Sequence, residues 1–144
     1  MCGGQALDLA ATGHAGTLTI AELERLHALK TGALIRAAVR MGALCGGAGS
    51  NDLARLDRYA DALGLAFQVR DDILDVEGDS DTLGKTAGKD AAQDKATFPA
   101  LLGIDASRRR LAELVDAMDD ALAPFGSRAA ALAALGRHAV DRQH

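Results

Sequence analysis

A long apolar stripe with the spacing of an α-helix is the feature that most constrains how this chain can fold. At about 100° per residue, the members of the stripe lie on one face of a helix. Residues 50–52 are of the types that cap helix N-termini, and Gly78 follows the stripe, so the pattern predicts one long helix between these positions. One side of that helix has to pack against other helices. The stripe consists of Tyr59, Ala62, Leu63, Ala66, Val69, Ile73 and Val76.

The opposite face of the predicted helix carries three carboxylates. Measured around the helix axis from Asp71, Asp75 falls at about 40° and Asp72 at about 100°. Gln68 and Phe67 lie in the same sector of roughly 140°. Carboxylates at this spacing repel one another, and the helix macrodipole disfavours negative charge near a C-terminus. A bound cation would remove both costs, and clustered oxygen ligands suit a hard ion such as Mg²⁺. The alternative is an acidic face that is simply solvated.

The composition predicts an all-α protein with a single domain. The 144 residues suffice for one ordinary domain. They are 49% hydrophobic but only 3% aromatic, and the β-branched runs that strands favour are missing. The net charge is −4 and the basic residues form no stripe, which excludes the electrostatic signature of a nucleic-acid-binding protein.

The cysteines and histidines argue against a zinc site and against a disulfide framework. Cys2 and Cys45 lack a C-x-x-C partner, and the four histidines are scattered along the chain. This pattern fits the reducing cytoplasm. The N-terminus has no secretory signal pattern, and charged residues interrupt every long apolar stretch. We therefore expect a cytoplasmic protein with no targeting segment and no membrane span.

Capping residues and glycines predict the other helices. Residues 19–22 form a capping box, and the apolar spacing after it predicts a helix to about Leu44, ended by two glycines. Gly32 lies inside this helix, where glycine costs about 1 kcal/mol relative to alanine, so it indicates close approach by a neighbour or a ligand. Further helices are predicted over residues 1–11 and 95–102, and from caps at Asp105 and Ser127.

Two lysines follow glycines in a turn-rich segment after the acidic helix. Residues 84–86 resemble the end of a phosphate-binding P-loop, but the required spacing places a glycine at position 79, which is Asp79. The segment also follows a helix rather than a strand, which excludes that motif. Lys85 and Lys89 would still suit a phosphate bridged to a metal, with solvated surface lysines as the alternative. Taken alone, five further residues would likewise be ordinary surface or core residues, namely Lys30, Thr31, Gln5, Asp8 and Phe67.

Together these motifs resemble the trans-prenyl diphosphate synthases, in their bacterial farnesyl diphosphate synthase type. The resemblance covers essentially the whole chain. It rests on the ordered segments GQALDL at 4–9, LKTGAL at 29–34, FQVRDDILD at 67–75, GKTAGKD at 84–90 and KATFPALLG at 95–103. It implies the helical bundle of the isoprenoid synthases. It also implies head-to-tail condensation of isopentenyl diphosphate with dimethylallyl or geranyl diphosphate, with Mg²⁺ as cofactor.

The resemblance also implies roles for individual residues. The metal ligands would be Asp71, Asp72 and Asp75, with Asp71 the most direct of them. The catalytic residues would be Lys30, Asp71 and Lys85. The substrate-binding residues would be Gln5, Asp8, Lys30, Thr31, Phe67, Gln68, Lys85 and Lys89, and the ring of Phe67 would stabilise cationic charge.

The chain departs from the family in its length. Relatives carry a first aspartate-rich motif and isopentenyl-binding basic residues on earlier helices, and this sequence contains neither. We therefore expect the C-terminal half of a helical bundle, about six helices, homodimeric in its full-length form and inactive alone. The alternatives are a non-catalytic partner subunit of a heteromeric synthase, a geranylgeranyl-type product, and a terpene cyclase, which fits the lysine motifs less well.

Overall fold

The described part of the protein consists of α-helices and two short irregular helical segments. The computed structural model describes residues 18–81 and 96–143, with the backbone alone for residues 79–81, and these ranges contain no strand. The predicted all-α class is confirmed. The elements are α1 (Ile20–His27), a π-helical segment (Ala28–Gly32), α2 (Ala33–Cys45), α3 (Ser50–Asp81), α4 (Phe98–Leu102), α5 (Ile104–Leu122), a 3₁₀ segment (Ala123–Ala129) and α6 (Ala130–Asp141).

The capping box at the start of α1 forms as predicted. The Thr19 hydroxyl accepts a hydrogen bond from the Glu22 N–H at 3.3 Å, and the Glu22 carboxylate accepts one from the Thr19 N–H at 2.8 Å. The predicted end of this helical region near Leu44 is also right, because α2 ends at Cys45 and Gly47 follows with φ 74°. The π-helical segment between α1 and α2 was not predicted, since its residues carry ordinary helical spacing.

The boundaries of α3 differ from the predicted ones. The Leu53 N–H donates to the Gly49 carbonyl at 2.9 Å, so Gly49 precedes the first turn and residues 50–52 lie inside it. The predicted end at Gly78 is wrong, because the helix continues to Asp81. Asp71 is therefore ten residues from the end, beyond the last turn in which the macrodipole acts. Mutual repulsion is the cost that remains at the acidic face.

The apolar stripe of α3 forms the centre of the core. Six of its seven members are buried, and only Val76 is exposed. This face packs most extensively against α5, and α2 and the π-helical segment also contact α3. Phe98, at the start of α4, is fully buried.

The later helices begin near the predicted places but without the predicted caps. Gly103 precedes α5 in place of Asp105, and Ser127 lies in the 3₁₀ segment before α6.

Tyr59 provides a test of this packing, because it is the one tyrosine in the sequence. Its buried hydroxyl donates to the Leu132 carbonyl at 2.6 Å and so joins α3 to α6. We expect Tyr59→Phe to lower the free energy of unfolding by about 1 kcal/mol. Urea denaturation measures this loss, and unchanged stability would contradict the contact.

The same residue predicts how stability depends on alkaline pH. Burial raises the pKa of Tyr59 above its ordinary value of 10.0. The unfolded chain therefore releases the phenolic proton at lower pH than the folded chain does. The stabilisation is complete below the unfolded pKa and is lost as pH rises through the folded pKa. Tyr59→Phe removes this component, so urea denaturation of the two proteins at increasing alkaline pH isolates it.

Within the described ranges, no helix combines the length and the apolar character that crossing a membrane requires.

Candidate functional site

The acidic face of α3 holds a cation that comes from the protein itself. Arg142, which follows α6, donates through Nη2 to Asp71 Oδ1 and to the Phe67 carbonyl, the latter at 3.1 Å. Its guanidinium carbon lies 3.9 Å from the centroid of the Phe67 ring. The Gln68 amide donates to the other Asp71 oxygen at 3.3 Å. Two of the predicted site residues, Phe67 and Asp71, thus contact one positive charge, and Gln68 contacts Asp71.

A second arginine fixes the position of Arg142. Arg70 donates through Nε and Nη2 to the Arg142 carbonyl at 3.0 and 2.8 Å, and its side chain also approaches Glu77 at 3.6 Å. Sequence reasoning missed Arg142 because a single arginine beyond the last helix carries no motif. Its contact with Asp71 joins positions 71 residues apart.

The three predicted metal-binding carboxylates differ in their surroundings. Asp72 is buried, and its Oδ2 accepts a hydrogen bond from the Phe98 N–H at 2.9 Å, which joins α3 to the start of α4. The Asp71 side chain is 44% exposed, and Asp75 is part-exposed one turn further along the helix. In the described ranges, no three acidic, histidine or cysteine side chains form an arrangement that holds a metal by itself.

Two carboxylates on one helical face nevertheless suit Mg²⁺ in one particular way. This ion is usually bound through one or two carboxylates, with phosphate oxygens and water filling the other positions. Asp71 and Asp75, four residues apart, match that requirement, and Arg142 shows that the face accommodates positive charge. The residues therefore fit a metal that arrives with a phosphate ligand, rather than a metal held by protein groups alone.

The remaining predicted residues divide between the π-helical segment and undescribed parts of the chain. Lys30 and Thr31 lie in the π-helical segment, which contacts α3, and both are part-exposed. Gln5, Asp8, Lys85 and Lys89 lie outside the described residues. Their approach to the acidic face therefore stays a prediction.

The fold and this face define an all-α bundle with an acidic surface on the longest helix that the structure describes. Residues 1–124 match the family model for polyprenyl synthetase. The chain belongs to the polyprenyl synthetase family, as the sequence motifs predicted.

Individual relatives agree with this assignment. The farnesyl diphosphate synthase of Escherichia coli (strain K12) is 49% identical over 99% of this chain and 48% of its own length. The geranylgeranyl diphosphate synthase of Cyanophora paradoxa is 40% identical over the whole chain and 48% of its own length. The crystal structure of a putative farnesyl-diphosphate synthase from Marinomonas sp. MED121 superposes with a TM-score of 0.81 at 39% identity, over 98% of this chain and 46% of that one. The chain thus spans about half the length of these relatives.

Proposed function

We propose that this chain is the diphosphate-holding part of a prenyltransferase that makes farnesyl diphosphate. In the proposed reaction the C–O bond of the allylic diphosphate breaks and pyrophosphate leaves. The double bond of isopentenyl diphosphate attacks the allylic cation, a new C–C bond forms, and a proton is lost. Family membership supports this proposal, together with the high identity to the farnesyl diphosphate synthase of Escherichia coli.

The observation that carries the proposal is the shared cation on the acidic face. Asp71, the Phe67 ring and the Phe67 carbonyl hold one guanidinium, so this surface is built for positive charge. We propose Asp71 and Asp75 as the residues that would hold Mg²⁺. When bound, that ion would neutralise the charge developing on the pyrophosphate leaving group. Gln68 would orient Asp71, and the Phe67 ring would face cationic carbon. The role of Asp72 as a third ligand stays a prediction, because its described contact is structural.

The lysines and the polar residues near the N-terminus complete the proposed site. Lys30, Thr31 and Lys85 would bind the diphosphate oxygens, and Lys89, Gln5 and Asp8 would line the same pocket. We further propose the cytoplasm as the place where the protein acts, which the exposed free thiol of Cys45 supports. A homodimer is proposed for the full-length form.

Calorimetric titration of the purified chain tests the site directly. We expect inorganic pyrophosphate to bind when Mg²⁺ is present and not when it is omitted, because the carboxylates of Asp71 and Asp75 repel the anion unless a cation neutralises them. Mixed with geranyl and isopentenyl diphosphates and Mg²⁺, the chain is expected to release no pyrophosphate, because it spans half of an active relative. Absence of binding would refute the proposed site, and product formation by this chain would refute the expected inactivity.

A non-catalytic partner subunit is the second candidate function. The observation in its favour is the exposure of three large apolar side chains on α2, namely Leu34, Met41 and Leu44. A geranylgeranyl-type product is a variant of the first candidate, supported by the relative from Cyanophora paradoxa. Sedimentation of the purified chain separates the two candidates. A stable monomer that binds Mg²⁺ and pyrophosphate would count against the subunit role.

A further inference from the structure

Two glycines, Gly64 and Gly32, bring the backbones of α3 and the π-helical segment close together. A Cβ atom built on Gly64, in α3, would lie 2.8 Å from the Cα of Gly32, at the end of the π-helical segment. Real Cβ atoms do not come this close to backbone, so position 64 has no room for a side chain. The reverse is not true. A Cβ on Gly32 would meet the His27 carbonyl at 3.5 Å and the Ala28 Cβ at 3.9 Å, which are ordinary contacts.

This contact lies on the functional face of α3. Gly64 is seven residues before Asp71, which is two helical turns, so the two positions share a face about 10 Å apart along the axis. Lys30 and Thr31 are the two residues immediately before Gly32. The distance between these two residues and Asp71 is therefore set by how closely the π-helical segment approaches α3.

The π-helical segment is a conformation that needs such support. π-Helical turns are rare, and they occur mostly as single insertions in α-helices, frequently at functional sites. Ordinary carbon contacts are about 3.5–4.0 Å long, so a Cβ that starts 2.8 Å from Gly32 would push the segment outward by about 1 Å. Displacements of that size weaken precisely arranged sites.

We infer that Gly64 is a positioning residue, which holds Lys30 and Thr31 at the distance from Asp71 that one diphosphate requires. The inference rests on the proposed function for the identity of the ligand. The geometric part of the inference is independent of the proposed function, because the contact between Gly64 and Gly32 is made within the folded chain.

The experiment compares three glycine-to-alanine variants of the same chain. Gly64→Ala is expected to weaken Mg²⁺-dependent pyrophosphate binding roughly tenfold in calorimetric titration. Gly32→Ala, on the other side of the contact, is expected to have a much smaller effect. Gly42→Ala is the matched control, because a Cβ there meets nothing within 4 Å. Position 42 is exposed to solvent and lies within α2, away from its ends. It is expected to leave binding unchanged and to stabilise the fold slightly.

Amide hydrogen exchange provides a readout that needs no ligand. Gly64→Ala is expected to accelerate exchange in residues 28–32 more than in the first turns of α3, and Gly32→Ala is not. A uniform acceleration along the chain would indicate a merely structural role and overturn the inference. The double variant Gly42→Ala/Gly64→Ala keeps the measurement possible if Gly64→Ala alone is unstable. Loss of the fold in both backgrounds would also overturn the inference.

The outcomes separate this inference from the proposed function. If the unsubstituted chain binds no pyrophosphate, the proposed function fails, and the exchange of residues 28–32 still decides whether Gly64 positions that segment. If the unsubstituted chain binds and Gly64→Ala binds equally well, the inference fails while the proposed function stands.

Discussion

Asp72→Ala is expected to lower the free energy of unfolding by about 1–3 kcal/mol. The carboxyl group is buried and accepts a hydrogen bond from the Phe98 N–H at 2.9 Å. Phe98 begins α4, its ring is fully buried, and it stacks on His27 with the ring centroids 5.8 Å apart. Removing the acceptor leaves a buried N–H without its partner at the junction of three helices. Urea denaturation followed by circular dichroism measures the loss.

Asp72→Asn is the matched control for this prediction. Asparagine keeps an oxygen that accepts the Phe98 N–H, so most of the stability should be retained. If both variants were as stable as the unsubstituted chain, the structural role of Asp72 would be refuted. If both were stable and both lost Mg²⁺-dependent pyrophosphate binding, Asp72 would instead act as the third metal ligand that the sequence predicted.

The sequence allowed the central helix and its two faces to be predicted because both depend on local spacing. The apolar stripe from Tyr59 to Ile73 follows the helical period, and the structure buries it. The capping box at Thr19 is equally local, since both of its hydrogen bonds join residues three apart. Such features need no knowledge of distant parts of the chain.

The features that escaped prediction depend on contacts between distant segments. Arg142 reaches Asp71 only because α6 returns along α3, and spacing within either segment does not show that return. The prediction that Gly32 marks a close approach was right, but the residue that cannot carry a side chain is Gly64. The separate environments of Asp71 and Asp72 also follow from packing, because adjacent helical residues lie about 100° apart and meet different neighbours.

Asp71→Asn is expected to weaken Mg²⁺-dependent pyrophosphate binding by roughly 100-fold while leaving the fold almost as stable. Losing an outer partner of a metal ligand costs about 10–100-fold in affinity, and losing a direct ligand should cost at least the upper end of that range. The effect on stability should be small, because the ion pair with Arg142 is partly solvated, with the two side chains 20% and 44% exposed. Pairs of this kind contribute about 1 kcal/mol or less. Calorimetric titration and urea denaturation of the same samples measure the two quantities.

Asp119→Asn is the matched control, and Arg142→Gln tests the same pair from its other side. Asp119 lies in α5, its side chain is 49% exposed, and it pairs with Arg137 at 3.5 Å. Asp119→Asn therefore removes the same charge as Asp71→Asn, from an arginine pair at a similarly exposed position. In the proposed site Arg142 would compete with a metal for Asp71. Its buried Nε has no hydrogen-bond partner in the described part of the chain, which lowers the cost of displacing it. Arg142→Gln should therefore tighten the Mg²⁺-dependent binding of pyrophosphate. Equal pyrophosphate affinity in Asp71→Asn and Asp119→Asn would show that Asp71 serves only as the structural partner of Arg142.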